Sequence, residues 1–167
     1  MLKLLVPCLT VNTLYDINLS ELKQRGIHGL ILDLDNTIIP WNSPAICPEV
    51  LAWLQDLPCQ GFQVCLVSNN GERRVKQIAG QCGMPFIARA LKPSRHGFSQ
   101  AANVMGLAAA AIAVVGDQLF TDVLGGNRQG MFTIRVRPLA TKEFIGTRVT
   151  RQLEKVAMRL LKATGHL

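Results

Sequence analysis

The chain has 167 residues, of which 49% are hydrophobic and only 5% aromatic, and it carries a formal charge of +7. One compact core burying about two-thirds of the unfolded surface is expected at this length, and with so few rings it must be packed from Leu, Val, Ile and Ala, as in buried parallel sheets. No stretch approaches the roughly 20 apolar residues of a membrane span. Five cysteines at irregular spacing, Cys8, Cys47, Cys59, Cys65 and Cys82, form no C-x-x-C pair, which argues against a zinc module or a disulfide scaffold and for reduced thiols in a cytoplasmic protein.

In chain order, residues 1–17 carry a short apolar run that makes a poor signal peptide and are expected to form an N-terminal arm packed on the core. "NLSELKQRG" (18–26) predicts a short helix, with Asn18 as N-cap, Glu21 closing a capping box and Gly26 as the stop. "HGLILDLD" (28–35) reads as a buried strand. Four more follow: "FQVCLVSN" (62–69), "PFIAR" (85–89), "AAIAVVGD" (110–117) and "MFTIRV" (131–136). Helical patterns near 47–57, 71–82, 95–105 and 119–129 alternate with them.

This alternation predicts an α/β fold, a three-layer, Rossmann-like parallel sheet with helices on both faces. No repeat or Gly/Ser-rich linker divides the chain, so residues 1–167 are expected to be a single domain. The last element, 141–163, is predicted as a basic amphipathic helix. At about 100° per residue Ile145, Val149, Leu153, Val156 and Leu160 share one arc, beside Arg148, Arg151, Lys155, Arg159 and Lys162. Residues 133–167 hold eight Lys/Arg against two Asp/Glu, whereas residues 1–132 hold ten against nine. An anionic partner is therefore expected at the tail, either through docking of this helix on the core with its charges left in water or through contact with a membrane surface.

Ligands of such sheets bind beyond the carboxyl ends of the strands, where the polar residues of this sequence collect: Asp33 and Asp35, Ser68 and Asn69, Asp117, with Lys92 a few residues past the third predicted strand. Carboxylates gathered there repel one another unless a cation lies between them. Mg²⁺ suits one or two carboxylates plus waters and a substrate phosphate, so Asp33 and Asp117, with Asp122 one loop further on, are candidate ligands. Lys92 and the hydroxyls of Thr37 and Ser68 complete a donor set for phosphoryl oxygens. Together they describe phosphoryl transfer.

The order "DLDNT" (33–37), "VSNN" (67–70), "LKP" (91–93) and "GDQLFTD" (116–122) resembles the four motifs of the haloacid dehalogenase (HAD) superfamily, over roughly residues 18–138. The resemblance implies that Asp33 is the nucleophile, forming an aspartyl-phosphate. It implies that Asp35 is the acid and base for the leaving oxygen and the hydrolytic water, with its backbone carbonyl in the Mg²⁺ shell. Thr37 would brace the loop, Ser68 hold a phosphoryl oxygen, Lys92 neutralise nucleophile and phosphate, and Asp117 and Asp122 hold the metal.

Neither 38–67 nor 70–91 leaves room for a substrate-selecting cap, so a capless HAD core is expected, with a flap near "IIPWNS" that includes Trp41. An uncapped site suits a large or surface-bound phosphoester. The stretch "YDINLSELKQRGIHGLILDLDNT" and the basic tail look like the subclass IIIA, YqeG-like group, similar to phosphatidylglycerophosphate phosphatases. The substrate implied is an anionic phospholipid, with peripheral membrane contact through the tail and no role for nucleic acid. One alternative is a capless phosphatase for phosphoproteins, nucleotides or nucleic-acid ends. A second is a non-enzymatic phospho-binding module.

Overall fold

The computed structural model describes residues 2–41 and 43–139; the predicted helix 141–163 lies outside the described residues. The chain runs β1 (Leu9–Val11), α1 (Leu19–Gln24), β2 (Gly29–Leu32), α2 (Pro48–Cys59), β3 (Gln63–Val67), α3 (Glu72–Cys82), β4 (Phe86–Ile87), α4 (Arg95–Met105), β5 (Ile112–Gly116), α5 (Leu124–Arg128) and β6 (Phe132–Val136). The six strands form one sheet in the order β1-β6-β5-β2-β3-β4, every pair parallel. This is the predicted α/β architecture.

Strand alternation sorts the core into two layers. Leu30, Leu32, Val64, Leu66, Ala113 and Val115 face one cluster, with Leu22 of α1, Leu54 and Leu57 of α2 and Ile78 of α3. Ile31, Cys65, Val67, Ile112 and Val114 face the other, with Phe98, Ala101 and Met105 of α4. Because both faces of β2, β3 and β5 are covered, their sequences read as unbroken aliphatic runs.

Four local expectations are corrected. The N-terminal arm does more than pack: Leu9–Val11 pairs with β6, Leu9 opposite Ile134, and makes a sixth strand too short to announce itself by periodicity. β4 is reduced to Phe86–Ile87, since the chain turns into left-handed backbone at Arg89, φ 48°. Only half of the box at α1 forms: the Asn18 side chain accepts from Glu21 N at 3.1 Å, but the Glu21 carboxylate pairs with Arg25 at 2.8 Å rather than reaching back. The helix predicted at 119–129 opens as a π turn, Leu119–Val123, before continuing as α5.

Helices α4 and α5 are drawn close at Gly125. A Cβ on Gly125 would lie 2.2 Å from Cε2 of Phe98, a fully buried ring of α4. Gly125→Ala must therefore displace α5 or the ring, and is expected to cost about 1–3 kcal/mol, read as a lower urea midpoint at unchanged m-value.

Candidate active site

Parallel register brings the functional loops together. Leu32 pairs with Leu66 on one side and Val115 on the other, so Asp33, Ser68 and Asp117 leave the sheet side by side at its carboxyl end. The ladder holds them there: Asp33 N donates to Val115 O at 2.9 Å and Ser68 N to Ile87 O at 3.0 Å.

At the centre is Lys92. Its ammonium donates to Asp33 Oδ1 at 2.5 Å and to Asp122 Oδ1 at 2.7 Å, with all three side chains buried. Asp117 is fully buried beside them, and Asp33, Asp117 and Asp122 each bring a carboxylate oxygen within 4.8 Å of the others. The Thr37 hydroxyl donates to Asp33 Oδ2 at 3.5 Å. Three carboxylates thus face one ammonium. Burial raises the Asp33 carboxyl, Lys92 pulls it down and Asp122 and Asp35 push it up again, for a net rise to about 7. Burial works against the charge on Lys92, but Asp122 and Asp33 outweigh it and hold the ammonium above its ordinary range. A dense, oxygen-only donor set with surplus negative charge fits a hard divalent cation.

Each participant is positioned by a local device. The Asn69 side-chain amide grips the Lys92 backbone at two points, donating to its carbonyl at 3.1 Å and accepting from its N–H at 2.6 Å. Asp122 sits in the π turn, a form of helix frequent at functional sites, with Gln118 N donating to its Oδ2 at 3.2 Å. That carboxylate fits only because residue 116 is glycine: a Cβ there would meet Asp122 Oδ2 at 2.3 Å. Ser68 Oγ accepts from Asn70 N at 3.1 Å, which leaves its own proton to donate.

Asp35 is placed apart from the cluster. Its carboxylate accepts from Asn70 Nδ2 at 3.0 Å and from Arg74 at 2.6 and 3.2 Å. The remaining arm of Arg74 donates to Ser43 O in the flap at 2.9 Å. Two glutamines of α3, Gln77 and Gln81, bond Pro44 O, so α3 holds the flap that follows β2. Sequence reasoning did not assign Asn70 or Arg74, and no spacing rule would have found a partner 39 residues from Asp35.

Between β2 and β3 the described chain places only this flap and α2, and between β3 and β4 only α3. The predicted lack of a cap is the arrangement found. Such a sheet, bearing an aspartate, a hydroxyl, a lysine and an acid pair on successive strand ends, defines a phosphoric monoester hydrolase of the HAD kind. Family models agree in both halves: mitochondrial PGP phosphatase over residues 2–81 and HAD-hydrolase-like over residues 90–154. The chain is 41% identical over 165 residues to "Probable phosphatase YqeG" of Bacillus subtilis, covering 99% of this chain and 96% of that one. It therefore belongs to the HAD superfamily phosphatases, in the YqeG-like group.

It is also 25% identical over 166 residues to phosphatidylglycerophosphate phosphatase 1 of Arabidopsis thaliana, covering 94% of this chain but 47% of that one, so it spans about half the length of the plant protein. Among solved structures, the cobalt-bound deoxy-D-mannose-octulosonate 8-phosphate phosphatase of Haemophilus influenzae has the same fold, with TM-score 0.55 and 16% identity over 68% of this chain and 70% of that one. With phosphatases as relatives, the non-enzymatic alternative falls away.

The raised Asp33 gives a sign for the pH dependence of stability. Between about pH 4 and pH 7 the folded, metal-free protein holds a proton on Asp33 that the unfolded chain has released, so this contribution is full below that window and is lost as pH rises through about 7. In urea unfolding with chelator, stability is expected to decline across this window, and Asp33→Asn is expected to flatten the decline. An unchanged slope in the variant would mean that Asp33 is not the group responsible.

Proposed function

We propose that the chain removes the terminal phosphate of phosphatidylglycerophosphate in a Mg²⁺-dependent reaction, giving phosphatidylglycerol. The observation that carries the chemistry is the buried set Asp33, Lys92, Asp117 and Asp122 at the carboxyl end of the sheet. The lipid substrate is supported by the relatives named for phosphatidylglycerophosphate and by the lack of a cap-sized insertion between β2 and β4 among the described residues.

In this reading the side chains of Asp33, Asp117 and Asp122, with the backbone carbonyl of Asp35, would hold Mg²⁺, which when bound neutralises charge on the phosphoryl oxygens. Asp33 attacks phosphorus and the bond to the leaving oxygen breaks, while Asp35 delivers a proton to that oxygen. The product is glycerol-terminated lipid and an aspartyl-phosphate. Asp35, now ionised, takes a proton from water as the water attacks phosphorus; inorganic phosphate leaves and Asp33 is restored. Lys92 offsets the charge of Asp33 and the transferring group, the Ser68 hydroxyl donates to a phosphoryl oxygen, and Thr37 steadies Asp33. Arg74 and Asn70 hold the Asp35 carboxylate at the base of the flap, outside the cluster of acidic side chains.

Phosphate release is expected from phosphatidylglycerophosphate in mixed micelles, dependent on Mg²⁺ and lowered by about 10³-fold or more in Asp33→Asn, as for loss of a covalent nucleophile. Turnover confined to sugar phosphates, nucleotides or phosphopeptides would keep the chemistry and discard the lipid.

A further inference from the structure

Six large hydrophobic side chains are exposed among the described residues, and three of them adjoin residues of the site through the chain or a hydrogen bond: Trp41 at 38%, Leu91 at 73% and Leu139 at 49%. Scattered surface hydrophobics need no explanation, but these three are tied to the catalytic loops. Trp41 N and Leu139 N both donate to Asn36, the first to its side-chain oxygen at 3.1 Å and the second to its carbonyl at 3.0 Å, and Asn36 follows Asp35 directly. Leu91 immediately precedes Lys92.

Leu91 is disfavoured twice. It is the most exposed of the six, and its φ of 53° is left-handed backbone that asparagine or glycine adopts with less strain. Neither stability nor solubility accounts for leucine there, and strain of this kind gathers at functional sites. Positive charge is exposed near these residues as well. Arg89, Arg95 and Arg137 are exposed in or beside the same loops, while residues 36–47, 88–94 and 137–139 contain no Asp or Glu.

We propose that this rim is a lipid-engaging surface, which seats the active site on an anionic bilayer. Leu91, Trp41 and Leu139 enter the boundary between headgroups and acyl chains, and Arg89, Arg95 and Arg137 lie against lipid phosphates. The bilayer then takes the place of the missing cap: it excludes water from the mouth and brings a headgroup phosphomonoester to Asp33 without lifting the lipid out. This rests on the lipid-phosphatase reading for its purpose, but its test uses membranes that contain no substrate.

The full chain carrying Trp53→Phe leaves Trp41 as its one tryptophan, and is mixed with phosphatidylcholine vesicles with or without phosphatidylglycerol. Anionic vesicles alone are expected to shift Trp41 emission to the blue and to allow its quenching by brominated acyl chains. Leu91→Asn is expected to weaken vesicle binding by about tenfold, the scale of one buried leucine, while turnover of a soluble phosphoester and thermal stability are unchanged or improved. Arg89→Gln combined with Arg137→Gln is expected to weaken binding most at low salt. Equal binding by Leu91→Asn, or Trp41 beyond the reach of the brominated chains, would overturn the proposal. So would Trp41 emission already blue and shielded from acrylamide without vesicles, because a second copy or another segment of the chain would then cover the rim. Vesicle binding without turnover of phosphatidylglycerophosphate would leave the rim and remove the substrate; turnover in micelles without vesicle binding would do the reverse.

Discussion

Lys92 holds two carboxylates, Asp33 and Asp122, in a pocket that also buries Asp117. Desolvating that much charge is costly, and one ammonium among three carboxylates leaves the pocket short of positive charge. The rest of the architecture can be understood as what keeps this unfavourable group together. Parallel strands in register deliver Asp33 and Asp117 to the same edge. The Asn69 clamp fixes the lysine, and the π turn with Gly116 gives Asp122 room to reach it. A divalent cation would supply the positive charge that the protein withholds, and together with Lys92 it would offset the charge of an incoming phosphate.

Much of this was legible in the sequence because it depends on periodicity and strand ends. The aliphatic runs at 28–35, 62–69 and 110–117 could only be strands covered on both faces, and the polar residues closing them marked the site. Asp33, Ser68, Lys92, Asp117 and Asp122 stand where that reasoning put them. What escaped it was set by tertiary partners. Leu9–Val11 is a strand because β6 offers it an edge, not because three residues carry a pattern. Arg74 reaches Asp35 only after α3 has packed beside the flap, and Glu21 turned to Arg25 because a lysine or arginine one helical turn away competes with a cap. The expected roles of Asp33 and Asp35 as neighbours in one motif also hid how differently they are housed: one is buried against Lys92, the other half-buried against Arg74.

That separation gives the site its division of labour. Asp33 shares the Lys92 ammonium with Asp122, while Asp35 is bound to α3 and, through Arg74 and Ser43, to the flap. Arg74 thereby joins the flap to the residue proposed as acid and base.

In the proposed reaction Asp33 carries the phosphoryl group between substrate and water. Turnover quenched in acid and reduced with borohydride converts an aspartyl-phosphate to homoserine, which peptide mass spectrometry can locate. Homoserine is expected at position 33 alone, dependent on substrate and metal. Its absence under steady turnover, or its appearance at Asp35, Asp117 or Asp122, would contradict it.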